Sequence, residues 1–124
     1  MRLLLDTNAL LWWRDGSLNL SQRVRDEIRE PSNDILVSIA SWWEITLKRA
    51  IGKLRFAEEF NDVMAEEGFS LLQISYSHLR SLDALPHPHR DPFDRMLIAQ
   101  SVAENIPVAT NDRTFATYGV TIVW

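Results

Sequence analysis

Apolar residues along this chain fall into short blocks separated by charged or helix-periodic stretches. The first block, Leu3-Leu4-Leu5, reads as a short strand buried on both faces. Similar blocks recur at Asp34-Ile35-Leu36-Val37-Ser38, at Phe69 to Ile74, at Pro107 to Thr110 and at Val120 to Val123. Helical patterns lie between them. A short apolar helix around Ala9–Trp13 is closed by the turn signal Asp15-Gly16-Ser17. Gln22 to Glu30 carries Val24 and Ile28 at i and i+4, with Ser21 as cap and Pro31 as stop. Ser41 to Ala50 places Trp43, Leu47, Ala50, Ile51 and Leu54 on one apolar stripe, with Gly52 beyond its end.

Further helices are expected at Phe56–Glu67, stopped by Gly68, and at Ser77–Leu82. Leu85-Pro86-His87-Pro88-His89-Arg90 is expected to be an irregular loop, because prolines at that spacing break helix and ladder alike. Asp91-Pro92-Phe93-Asp94 then opens a helix with Asp91 at the N-cap, Pro92 at the first position and Asp94 at the third. Strands alternating with helices imply an α/β fold: a mostly parallel sheet of four or five strands covered on both faces.

The 124 residues fit one domain, residues 1–124. Composition, with 46% hydrophobic and 24% charged residues, is that of a globular protein. The chain has no cysteine, which removes disulfides and thiolate metal sites from consideration. Asp6 interrupts the only apolar run near the amino terminus, and no later run is long enough to span a bilayer. The expectation is therefore a cytoplasmic protein without a membrane partner. A formal net charge of -4 runs against the basic surface of most nucleic-acid binders. Acids gathered around bound cations would reverse the local field and remove that objection.

The acids are where chemistry enters. Asp6 ends the first strand block, at the strand edge where open parallel sheets place their ligands. Asp112 follows the fourth block, Glu44 stands at the start of the third helix, and Asp94 lies in the first turn of the helix opened by Asp91. Each has a purely structural alternative. Ser41 and Glu44 have the spacing of a capping box, Asp91 and Asp94 complement a helix dipole, and Asn111-Asp112 is a turn and cap. In a parallel layer all four can open on one edge. Four carboxylates so placed repel one another unless divalent cations share the site, and oxygen ligands without cysteine favour Mg²⁺ or Mn²⁺. Such a site suits phosphodiester hydrolysis, in which metal-activated water replaces a protein nucleophile. No G-x-S-x-G elbow or phosphate-binding glycine loop offers another route.

Leu5-Asp6-Thr7-Asn8, Ser38-Ile39-Ala40-Ser41-Trp42-Trp43-Glu44-Ile45, Asp91-Pro92-Phe93-Asp94-Arg95-Met96-Leu97-Ile98-Ala99 and Thr110-Asn111-Asp112, in that order, resemble the four motifs of PIN domains. The resemblance spans essentially the whole chain and is nearest to the VapC-type ribonuclease toxins of bacterial toxin–antitoxin pairs. It implies a three-layer α/β/α sandwich, an endoribonuclease dependent on Mg²⁺ or Mn²⁺, a homodimer and a cognate antitoxin. It assigns Asp6, Glu44, Asp94 and Asp112 as catalytic, metal-holding acids. Thr7, Asn8, Ser41, Thr110 and Asn111 become supporting residues. Asp91 is either an outer ligand or the helix cap.

Arg90 and Arg95 are the weaker candidates for substrate phosphate, while Lys48, at i+4 from Glu44, has the spacing to pair with it. His87 and His89, with no third histidine nearby and no cysteine, read as loop residues rather than metal ligands. Of the five tryptophans, the pairs Trp12-Trp13 and Trp42-Trp43 cannot turn both members toward one core, which leaves one of each for a partner surface. Two other functions compete. A receiver domain shares the length and alternation but requires an acidic pair after its first strand, an acceptor Asp after its third and a late Lys, none of which is present. A PIN-like domain that binds RNA without cutting it shares the same motifs.

Overall fold

The computed structural model describes residues 1–86 and 91–124; His87, His89 and Arg90 lie outside the described residues. In chain order the elements are β1 (Arg2–Leu5), α1 (Thr7–Asp15), α2 (Gln22–Arg29), β2 (Asp34–Ser38), α3 (Ile39–Ala50), α4 (Phe60–Glu67), β3 (Ser70–Leu72), α5 (Tyr76–Ala84), α6 (Pro92–Glu104), β4 (Val108–Ala109), a 3-10 helix (Arg113–Tyr118) and β5 (Ile122–Val123). The five strands form one sheet in the order β3-β2-β1-β4-β5, and every neighbouring pair is parallel.

The triple leucine shows why β1 is central. Leu3 and Leu5 point into one apolar core with Ala9, Leu10, Val24, Ile35, Val37, Trp42, Ile45 and Val63. Leu4 points the other way, into a second core with Leu36, Leu97, Ile98, Val108 and Phe115. Alternate side chains of a strand face opposite sides of the sheet, so helices cover both faces and the architecture is the expected α/β sandwich. Backbone pairing sets the register: Leu5 stands opposite Val37 on one side and Ala109 on the other. The carboxyl ends of β1, β2 and β4 therefore finish level. The chain moves outward from β1 through β2 to β3, then crosses to β4 and β5, so the strand order reverses beside β1, which is where such sheets bind ligands. This order also differs from the 2-1-3-4-5 order of receiver domains, which removes that alternative.

Three expectations change. The apolar stripe read on α3 lies largely on its outer side: Trp43 is 52% exposed, Leu47 44% and Ile51, at its carboxyl cap, 66%. The core face is instead Ala40, Trp42 and Ile45, because Trp42 stacks on Phe60 with ring centroids 4.2 Å apart and edges onto Phe56. The start of α3 is also earlier than expected. Ser38 is its N-cap and accepts the Ala40 amide at 3.0 Å, so Ser41 is no cap and Glu44 sits in the second turn. Finally, α4 begins at Phe60 rather than Phe56. The Phe56 carbonyl accepts a bond from Arg49, and its ring is spent on the Trp42 contact. Among the described residues no helix is long and apolar enough to cross a membrane.

Candidate metal centre at the carboxyl edge of the sheet

Asp6 leaves β1 as the N-cap of α1, its carboxylate accepting the Ala9 amide at 2.7 Å. It is 6% exposed. Neighbouring β2 runs directly into α3, which delivers Glu44, 5% exposed, on its inward side. On the other flank β4 ends at Thr110-Asn111-Asp112, where Asp112 caps the 3-10 helix by accepting the Thr114 amide and hydroxyl. The helix α6 precedes β4 and runs back against it, so its amino terminus, with Asp91 and Asp94, arrives at the same edge. Asp91 is the N-cap there, accepting the amides of Phe93 and Asp94 at 2.9 and 3.2 Å.

These segments enclose a pocket of about 130 Å³ lined by Asp6, Thr7, Asn8, Glu44, Lys48, Asp91, Asp94, Asn111 and Asp112. All four acids of the sequence motifs, and Asp91 with them, open into it. Two hydroxyls tie the pocket walls together. Thr7 donates to Ser41 at 3.1 Å, joining α1 to α3 in the interior. Thr110, fully buried, hydrogen-bonds Asp6 and accepts the Asp112 amide at 3.0 Å. Ser41 and Thr110 thus act from behind the lining. Arg95 does not line this pocket. Its guanidinium donates to the Leu82 carbonyl at 3.2 Å and borders a separate open groove with Tyr76, Leu79 and Arg80. Arg90 lies outside the described residues.

The electrostatics record the crowding. Burial pushes the Asp94 carboxyl up to about 7, with Asp91, Asp6, Glu44 and Asp112 adding repulsion. Burial likewise raises Asp6 to about 6; its bonds to Thr110 and the Ala9 amide oppose that, and Glu44 and Asp112 reinforce it. A group that burial, reinforced by neighbouring acids, makes protonate near neutrality is one that a cation would hold ionised. The donor set, all carboxylate, amide and hydroxyl oxygen, fits a hard ion such as Mg²⁺ or Mn²⁺. Among the described residues no three acidic or histidine side chains are already arranged to hold a metal ion. The carboxylates line a common pocket without forming a ready-made ligand set among the described residues.

Sequence reasoning missed two contributors. Ser38, read as a strand end and the first residue of the second motif but given no role, caps α3 and donates to Gln100 on α6 at 2.6 Å, fixing the helix that carries Glu44 against the helix that carries Asp94. The signal was present as a serine between strand and helix. Gln100, fully buried within an apolar helix face, carried no signal in the chain.

The family model of the PIN domain matches residues 3–120. No curated protein matches the chain significantly in sequence. Among solved structures, it is similar to a chain of VapBC2 from Rickettsia felis bound to a DNA fragment from their promoter. That match has 16% identity and TM-score 0.71, covering 99% of this chain and 98% of the other. It is also similar to a chain of DNA-bound VapBC from Salmonella typhimurium, with 16% identity, TM-score 0.68 and coverage of 99% and 97%. A chain of a toxin–antitoxin complex from Klebsiella pneumoniae matches with 20% identity, TM-score 0.64 and coverage of 98% and 96%.

Proposed function

The chain belongs to the PIN domain family, and from that premise and its acid-lined pocket we propose that it is a metal-dependent endoribonuclease, the VapC-type toxin of a toxin–antitoxin pair. The observation that carries this reading is the common pocket reached by Asp6, Glu44, Asp94 and Asp112 from segments far apart in the chain. Burying so many acids together raises their proton affinity and costs stability, a cost that cation binding offsets.

In this reading Asp6, Glu44, Asp94 and Asp112 hold Mg²⁺ or Mn²⁺, and Asp91 remains principally the cap of α6. When bound, the ion supplies Lewis acidity, activating water near neutral pH and neutralising charge on the phosphodiester. Thr110 and the Ala9 amide fix the direction of the Asp6 carboxylate, and the Thr7–Ser41 bond fixes the distance between α1 and α3. Asn8 and Asn111 flank the opening and offer amide groups to water or phosphate oxygen. Attack of water on phosphorus forms one P–O bond and breaks another; the proton of water passes to solvent or to a pocket carboxylate, and the departing oxygen takes up a proton to leave as a hydroxyl. The likeness to a chain of the Klebsiella pneumoniae toxin–antitoxin complex, beside the chains of VapBC2 and VapBC, supports an antitoxin as the restraining partner. The outward row Trp43, Leu47 and Ile51 on α3 supplies the exposed aromatic and aliphatic surface that partner contacts favour.

The test is direct. Purified chain incubated with RNA should cut it in Mn²⁺ or Mg²⁺ and stop on addition of chelator. Asp6→Asn should retain the fold and lose cutting by about a hundredfold or more, the scale of removing one charge-stabilising group from a preorganised site. RNA bound but never cut in either metal would overturn the enzymatic reading in favour of a binding domain.

A further inference from the structure

Glu44 and Lys48 stand one helical turn apart on α3, with the ammonium 2.5 Å from the carboxylate. Most i,i+4 pairs are solvated surface contacts of small consequence. This one differs in where it sits. The Glu44 side chain is only 7% exposed, both residues line the acid pocket, and Asp91 and Asp94 also draw on the Lys48 charge. The lysine therefore contacts Glu44 and lies in the field of two further acids of the pocket.

The geometry points to Lys48 as a resident counter-cation of the pocket, holding the Glu44 carboxylate until a divalent ion displaces it. The inference rests on the proposed metal site and adds a competitor to it. Lys48 holds one oxygen of the Glu44 carboxylate, and a doubly charged ion coordinated by that carboxylate would be repelled by the ammonium, since like charges so close interact strongly wherever water is partly excluded. Lys48 can withdraw, because its side chain is 47% exposed and its flexible stem lets the charged end reach solvent while the methylenes stay on the helix. With the pocket free of metal, the ammonium offsets part of the carboxylate repulsion. Metal binding gives up that contact, so the pair weakens the apparent affinity for the ion.

Isothermal titration of Mn²⁺ into the wild-type chain, Lys48→Met and Lys48→Arg, with metal-free melting curves for each, tests this. Lys48→Met, which keeps the stem and removes the charge, is expected to bind Mn²⁺ about three- to tenfold more tightly and to melt at a lower temperature without metal. Lys48→Arg, which keeps the charge, is expected to follow the wild type in both measurements. Wild-type binding with Lys48→Met equal or weaker would overturn the competition and leave the metal site standing. Absence of Mn²⁺ binding by all three chains would overturn the metal site itself, and the competition with it.

Discussion

The side chain of Thr110 is hydrogen-bonded to the carboxylate of Asp6, which joins the turn after β4 to the first residue beyond β1. The same hydroxyl accepts the Asp112 amide, so one buried oxygen positions two acids of the pocket. Parallel pairing of Leu5 with Ala109 puts these residues side by side, and the hydroxyl then sets their spacing.

Thr110→Val keeps the shape and removes both bonds. Leaving a part-buried amide and a buried carboxyl short of partners costs about 1–3 kcal/mol, to be read from denaturant unfolding against the wild type. Because the Thr110 bond lowers the Asp6 pKa, its loss should move that carboxyl further above 6. Thr110→Ser should recover most of the stability.

The raised acids make a definite pH prediction. Asp6 is raised to about 6 and Asp94 to about 7 in the fold, against 3.8 for an ordinary aspartate. Between about pH 4 and pH 7 the folded chain holds more protons than the unfolded chain, so the contribution of these groups to stability is full at the acid end and is lost as pH rises through 6 and 7. Without metal, melting temperature should therefore fall across that interval. Added Mn²⁺ competes with protons for the same oxygens and stabilises the folded state by mass action. Its stabilising effect should be larger at pH 8 than at pH 5, as scanning calorimetry at the two values would show.

The reversed face of α3 is checked by two tryptophan substitutions. Trp42, 5% exposed and stacked on Phe60, should cost about 3–5 kcal/mol when replaced by alanine. Trp43 touches Phe93 edge-on at 5.0 Å but is half exposed, and its replacement should cost below about 1.5 kcal/mol. Equal losses at the two positions would contradict the packing.

Much of the fold was legible because the signals were local. The Leu3-Leu4-Leu5 run, the Ser21 cap and the Asp91-Pro92 helix start each encode structure within a few residues, and all are found as read. The acid positions were legible through their motifs and, except for Glu44, which stands in the second turn of α3, through their places at strand and helix ends. The orientation of α3 was not, because the helix carries apolar residues on both sides, and Trp42, Ile45, Trp43 and Leu47 satisfy two competing stripes. The choice is made by Phe56 and Phe60, which come later in the chain and whose approach to Trp42 no local pattern specifies. The same limit hid Gln100, whose bonds to Ser38 and to the Gln73 carbonyl depend on three separate elements meeting.

Convergence of the acids on a shared cation is the claim from which the rest follows, and anomalous diffraction from crystals soaked in millimolar Mn²⁺ addresses it without relying on activity. The expected result is manganese density inside the pocket, within coordination distance of carboxylate oxygens from at least two of Asp6, Glu44, Asp94 and Asp112. An empty pocket at that concentration, or manganese held only by acids elsewhere on the surface, would contradict it.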